Sequence, residues 1–160
     1  PYGFLPFKVY KEIIPRNAKE IYVLTESLMS SQDSANVPNQ KACVAITEAL
    51  LTYLSNHYMN ATVGLRRGSS GEAFYQLAHS SIMISPPSSF GFFAGLAQPD
   101  SHDVYLPETH LIASGNNVFI HHHFHWMPFP KIVQFGYYLA DHDNKIDVEA
   151  FLKMLMSDEQ

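Results

Sequence analysis

Residues 74–96 decide the fold, and they have the sequence FYQLAHSSIMISPPSSFGFFAGL. The spacing predicts a helix, a short buried strand at 82–85, a Pro-Pro-Ser-Ser corner and a second helix over 89–97. A strand that enters a helix through small hydroxyl residues is typical of anion sites, because free N–H groups and the positive end of the helix dipole face the ligand. The alternative is purely structural: Ser88 or Ser89 caps the helix and the phenylalanines fill the core.

Strands and helices alternate on both sides of this stretch. The alternation predicts an α/β domain, Rossmann-like and three-layered, with a mainly parallel sheet. The loop predicted at 66–71 and the Ser-Ser corner both follow strands, so they are expected at the carboxyl edge of the sheet, where such folds bind ligands. The pattern predicts strands at 21–25, 61–65 and 104–106, helices at 7–14, 40–58 and 148–156, and a polar loop at 26–39.

Composition limits the class of protein. With 160 residues, 46% hydrophobic and 16% charged, the chain fits a single globular domain over 1–160. A net charge of −5 with scattered basic residues argues against nucleic acid as a partner. No apolar run approaches the ~20 residues that cross a bilayer, so no transmembrane segment is predicted in this chain. The chain opens with an aromatic, apolar stretch and no Met, and we expect it to be a piece of a longer protein. The single Cys43 leaves the compartment open.

Three consecutive motifs form one pattern: the helix Glu72-x-Phe74-x-x-Leu77, the strand Ile82 to Ser85 and the corner SSFGFFA at 88–94. With Ile21 to Glu26 and residues 4–10, which extend the pattern over residues 4–97, it resembles the GDP-fucose-dependent fucosyltransferases of the α1,2 and α1,6 type. Those enzymes have the GT-B architecture of two Rossmann-like halves, and the resemblance implies that this chain is most of the second half, which holds the donor nucleotide.

The resemblance implies inverting transfer of fucose from GDP-fucose to a sugar hydroxyl, with no cofactor required. The implied partners are the nucleotide-sugar donor, a glycan acceptor, and the remainder of a longer chain or a partner subunit. The implied compartment is the secretory pathway or Golgi lumen. Gly91 stands where the family usually has Ser, and Phe92-Phe93 where Trp-Trp is common.

The family's His-x-Arg-Arg-like motif, which meets the donor phosphates, has no copy in this chain. The resemblance therefore implies that the chain alone lacks the full catalytic site. The alternative function is a catalytically inactive, transferase-like module that serves as a structural or assembly subunit of a larger complex.

The corner supplies three candidates for the donor-nucleotide site. Ser88 and Ser89, with their backbone N–H groups, would bind the diphosphate through charge-assisted hydrogen bonds. Phe90 would pack beneath them or against the base, and its alternative role is core packing.

The neighbouring loop supplies three more candidates. Glu72 would accept hydrogen bonds from guanine or ribose, or would simply stabilise a helix N-terminus. Arg66 and Arg67 have the guanidinium geometry that suits phosphate, or they form a solvated surface pair. No carboxylate is identified as the catalytic base, so the catalytic residues stay unknown.

Four of the nine histidines lie between His121 and His125. On a strand, His121, His123 and His125 would share one face and could bind Zn²⁺ or Cu²⁺. The aromatic neighbours favour a packed or interfacial strand instead, and no native metal is predicted. An acceptor-binding or pH-sensitive surface is a further alternative.

Two short motifs remain. The segment 141–149 is similar to the second half of an EF-hand, but Leu139 and Ala150 would occupy two ligand positions, which favours a polar turn that caps the final helix. Asn60-Ala-Thr62 is a sequon that would permit N-glycosylation in a secretory compartment.

Overall fold

The structure, a computed structural model, describes residues 3–26, 37–107, 123–127, 133–134 and 147–157. Within these ranges strands and helices alternate along the chain. The elements are β1 (Gly3–Phe4), α1 (Phe7–Ile13), β2 (Glu20–Glu26), α2 (Val37–His57), β3 (Thr62–Gly68), α3 (Ser70–Ala78), β4 (Ile82–Ile84), α4 (Ser89–Leu96), β5 (Asp103–Pro107), β6 (Phe124–Met127), β7 (Val133–Gln134) and α5 (Val148–Met156).

Most strand pairs in the described part are parallel. β2 pairs with β3 along its whole length, with Ile21 opposite Val63, and α2 forms the crossover between them. β4, β5 and β6 form a three-stranded parallel sheet in that order. The short β1 and β7 pair antiparallel. The predicted α/β class with mainly parallel strands is confirmed.

The three-stranded sheet is covered by helices on both faces, which gives three layers. On one face Met83, Val104 and Leu106 are buried against side chains of α3 and α4. On the other face Met127 packs with Val9 of α1. A parallel sheet needs this double cover because both of its faces are apolar.

A second core lies between the β2–β3 sheet and helices α1, α2 and α5. Helix α2 buries every fourth residue from Ala42 to Leu54, the spacing of one helix face. Tyr58 follows this stripe, and its hydroxyl donates to the Ile14 carbonyl oxygen at 2.9 Å, which ties the end of α2 to the end of α1. The helix begins at Val37 rather than at the predicted residue 40, and Pro38 is tolerated there because first-turn N–H groups have no helical partner.

The final helix α5 has the predicted bounds, 148–156. Asp147 is its N-cap, and the Oδ1 of Asp147 accepts from the Ala150 N–H at 3.0 Å. Phe151 and Leu155 are completely buried in the second core, and Phe151 meets Phe4 edge to face at 5.9 Å. The capping part of the sequence prediction is therefore confirmed, whereas the EF-hand-like residues 141–146 lie outside the described residues.

Candidate functional site

The corner between β4 and α4, residues 85–88, ends in a helix cap. Ser88 has extended backbone angles (φ −156°, ψ 130°), and its Oγ accepts from the Gly91 N–H at 3.4 Å. This bond satisfies one of the N–H groups that every helix leaves without an intrahelical acceptor in its first turn. The N–H groups of Ser89 and Phe90 point out of the same turn, and the helix itself supplies no acceptor for them. Ser88 therefore caps α4, and the N–H groups of Ser89 and Phe90 remain available beside it as hydrogen-bond donors.

The position of α4 depends on a close contact between Ser85 and Gly91. Ser85 follows the last residue of β4, is 7% exposed, and donates its hydroxyl to the Pro86 carbonyl oxygen at 2.9 Å. A Cβ on residue 91 would overlap the Ser85 Oγ and lie 2.8 Å from the Ser85 Cβ. Glycine at 91 therefore lets the first turn of α4 approach the end of the strand. The serine that the resembled family has at this position would not fit without a shift.

Helix α4 packs on the sheet through small residues. Gly91, Ala94 and Gly95 are its buried residues. A Cβ on Gly95 would come within 2.8 Å of the Val104 Cγ1 and 3.1 Å of the Phe124 Cζ. The helix therefore lies closer to the sheet than larger side chains would permit.

The aromatic residues of α4 consequently lie on its sides and outer face. Phe92 packs against the core beneath, while Phe93 is 60% exposed. Phe90 is 39% exposed, at the open end of the helix, and meets Phe74 of α3 edge to face with 5.8 Å between ring centroids. Phe90 is therefore available as a platform beside the two free N–H groups, and it is not a buried core residue.

Glu72 is engaged in capping α3. Ser69 and Glu72 form a capping box: the Glu72 Oε2 accepts from the Ser69 N–H and from the Ser69 hydroxyl, both at 2.8 Å. In return the Ser69 Oγ accepts from the Glu72 N–H at 3.3 Å. The bond from the Ser69 N–H, followed by that from its hydroxyl, lowers the pKa of the Glu72 carboxyl. This geometry corresponds to the helix-stabilising alternative for Glu72.

The N-termini of α3 and α4 therefore differ in charge. That of α3 already holds the carboxylate of Glu72 in its first turn, whereas α4 has no acidic residue in its first turn. A negative charge at a helix N-terminus partly neutralises the positive end of the dipole. Of these two helix ends, only that of α4 keeps its partial positive charge for an external anion.

Arg66 and Arg67 lie on a strand and not in the predicted loop, because β3 continues through Gly68. Successive strand residues point to opposite faces, so the two guanidinium groups diverge. The Arg66 guanidinium stacks over the Tyr22 ring, 3.5 Å from its centroid. Arg67 is exposed and lies opposite Thr25 in the register. The two arginines are thus not placed to bind one phosphate together.

His123 and His125, the described histidines of the 121–125 segment, lie in different surroundings. His121 lies outside the described residues. His123 precedes β6, is 4% exposed, and sits with its Nδ1 3.3 Å from the Asp100 Oδ1 and its Nε2 3.4 Å from the Gly95 carbonyl oxygen of α4. His125 is exposed, with its Nε2 2.8 Å from the Asp103 Oδ1. In the described ranges, no group of three His, Cys, Asp or Glu side chains is placed to hold a metal ion.

Sequence reasoning missed two contributors to this site. The Ser69-x-x-Glu72 spacing is the signature of a capping box and would have assigned Glu72 directly. The contact between Ser85 and Gly91 has no sequence signal of its own, since it depends on how closely α4 packs on the sheet.

Comparisons with known proteins identify no relative that shares this geometry. The chain matches no protein-family model, and neither the curated proteins nor the solved structures give a significant match. Among the helices in the described ranges, none has both the length and the apolar character to cross a membrane.

Proposed function

We propose that this domain is the nucleotide-binding half of a GDP-fucose-dependent glycosyltransferase, in which the β4–α4 corner holds the diphosphate of the donor. The observation that supports the proposal is the open N-terminus of α4, which follows a parallel strand and has a serine cap and no acidic residue. Anions bind at such helix ends in parallel α/β folds. The identity of the donor and the inverting transfer to a sugar hydroxyl rest on the fucosyltransferase resemblance of residues 4–97.

Each residue of the corner has a distinct role in this proposal. Ser88 holds the first turn in shape by capping it, and Ser89 offers its N–H and its exposed hydroxyl to the phosphates. Phe90 presents a half-exposed ring next to these donors, at the place where the base or ribose would lie. The diphosphate gains negative charge as its bond to the sugar breaks. N–H and O–H groups that donate hydrogen bonds to it therefore stabilise the transition state.

The corner provides hydrogen-bond donors but little full positive charge. No Lys or Arg occurs between Arg67 and Lys131. Hydrogen bonds to a charged group contribute about 1.5–3 kcal/mol each, so two of them at about 2 kcal/mol each correspond to a Kd no tighter than about 1 mM. The resembled family has an arginine that contacts the phosphates and that this domain lacks. Its absence would account for weaker binding by this domain than by a complete enzyme.

An NMR titration of ¹⁵N-labelled protein with GDP tests the proposal, because it detects millimolar binding and locates it. We expect the amide signals of Ser89, Phe90 and Gly91 to shift most, with GDP binding more tightly than UDP. Loss of the hydroxyl in Ser89→Ala should weaken binding about tenfold or more.

Ser69→Ala is the matched control, since it removes the cap of α3 and leaves α4 intact. It should lower stability by about 1 kcal/mol and leave the GDP affinity unchanged. GDP shifts confined to other parts of the chain, or no shifts at millimolar GDP, would contradict the proposed site.

A second candidate function is that of an inactive transferase-like module that assembles with another protein. Exposed aromatic side chains on two packed helices favour it, with Tyr75 63% exposed and Phe93 60% exposed. In that case Tyr75→Ser and Phe93→Ser should abolish association with the partner, whereas GDP should cause no shifts at the corner. Sedimentation velocity of the chain with candidate partners measures the first, and the NMR titration measures the second.

A further inference from the structure

The turn between α2 and β3 is one of the most exposed parts of the described chain. Met59 is 87% exposed, and Asn60 and Thr62 are also exposed. Asn60, Ala61 and Thr62 form the Asn-x-Thr tripeptide, with a small residue and not proline in the middle. The three features that an N-glycan acceptor requires, a sequon, an accessible asparagine and a surface turn, coincide here.

The backbone of this turn is fixed without help from the asparagine side chain. The Ala61 N–H donates to the Tyr58 carbonyl oxygen at 2.9 Å, and the Thr62 N–H donates to the Lys19 carbonyl oxygen at 2.8 Å. Tyr58 is itself buried and anchored to Ile14. Within the described ranges the Asn60 carboxamide makes no hydrogen bond. A substituent on its nitrogen would therefore break no interaction of the folded domain.

We propose that Asn60 is an acceptor for an N-linked glycan. The reaction transfers an oligosaccharide from a polyprenyl-pyrophosphate donor. A bond forms between the Asn60 Nδ2 and the anomeric carbon of the first sugar, and the bond from that carbon to the pyrophosphate oxygen breaks. The lipid pyrophosphate leaves with the electron pair, and a proton leaves Nδ2 to a base of the transferase. The hydroxyl of Thr62 is the second recognition element of the sequon.

A glycan at Asn60 would lie at the amino end of β3, because Asn60 comes just before Thr62, the first residue of that strand. The six steps from Thr62 to Gly68 span about 20 Å at about 3.3 Å per residue, which separates the glycan from the carboxyl end of β3. The modification would cover the exposed Met59.

The experiment expresses the whole chain behind a cleavable secretory leader in a eukaryotic cell. Protein from the medium, or from the protease-protected luminal fraction if secretion fails, is treated with peptide N-glycosidase, which converts a glycosylated asparagine into aspartate. Tandem mass spectrometry then locates the change. We expect Asn60 to be occupied in most molecules and in Thr62→Ser. It should be bare in Thr62→Val, which keeps the branched shape that suits the strand.

Lys19→Thr supplies a positive control for the same chain. It creates a second sequon at Asn17, which also lies on an exposed turn. Occupancy of Asn60 in the luminal protein supports the proposal, and its absence overturns it, most sharply when Asn17 of the control variant is occupied. This readout does not depend on nucleotide binding, so it stands or fails separately from the proposed function.

Discussion

A negative charge introduced at the N-cap of α4 should raise the stability of this domain and lower its affinity for an anion. Asp and Ser are about equally good N-caps, so Ser88→Asp keeps the cap of α4. Its carboxylate should also interact favourably with the helix dipole by about 0.3–1 kcal/mol. For a domain of this size the thermal midpoint would rise by up to about 4 °C.

The same charge should repel a bound phosphate. The Ser88 Oγ lies 3.4 Å from a first-turn nitrogen. A phosphate oxygen sits about 2.9 Å from the nitrogen that donates to it. For an oxygen bound to a neighbouring first-turn nitrogen, the two negative charges would be on the order of 6 Å apart. At an effective dielectric constant of about 20 this repulsion is about 2.8 kcal/mol, or about a hundredfold in Kd. Binding on the order of 1 mM would then vanish from the titration.

The assay combines thermal unfolding with the ¹⁵N titration by GDP, and Ser88→Asn serves as the neutral control. Asn is also a good N-cap, so this variant should retain both the fold and the GDP shifts. If Ser88→Asp binds GDP like the wild type, the phosphate does not sit at this corner. If Ser88→Asn loses binding as well, the loss is caused by cap geometry and not by charge.

The remaining predictions concern packing and pH. Gly91→Ala should lower the free energy of unfolding by about 1–3 kcal/mol through overpacking. Gly71→Ala should raise it by about 0.5–1 kcal/mol, since nothing lies within 4 Å of the added Cβ. Urea unfolding of the two variants measures both changes. Phe151→Ala should lower the unfolding free energy by about 3–5 kcal/mol, and the exposed Met156→Ala should change it by less than about 0.5 kcal/mol. The lowered pKa of Glu72 means that its contribution is full above about pH 4.3 and is lost as the pH falls through the folded value. The thermal midpoint of the wild type should therefore fall more steeply with decreasing pH than that of Glu72→Gln. If the two midpoints fall in parallel, the capping box does not contribute to the loss of stability in acid.

The order of elements could be predicted from the sequence because each strand is a short apolar run between turn-forming residues. The strand predicted at 82–85 and the helix predicted at 89–97 are examples, and the structure has them at Ile82–Ile84 and Ser89–Leu96. The boundaries of β3 could not be predicted in this way. Arg66 and Arg67 are polar and favour a loop locally, but pairing with Leu24 and Thr25 of β2 extends the strand over them. Partners forty residues away in the chain decide that boundary.

The candidate site was predictable to a similar extent. The helix cap at Ser88 follows from local residue preferences, and the structure has it. The burial of His123 against Asp100 and α4 depends on how segments distant in sequence pack together. Local periodicity carries no information about such contacts, so it could not separate His123 from His125.

The close packing of α4 reverses the usual tolerance to mutation. In most amphipathic helices the large apolar residues are the least replaceable, since they fill the core. Here Phe93 could be exchanged for polar residues with little effect, while one added methyl group at Gly91 or Gly95 would displace the helix. A deep mutational scan should therefore show glycine positions as the intolerant ones in this segment. Sequence variation in this segment should therefore concentrate at the outer aromatic positions, because a side chain added on the inner face would meet the sheet.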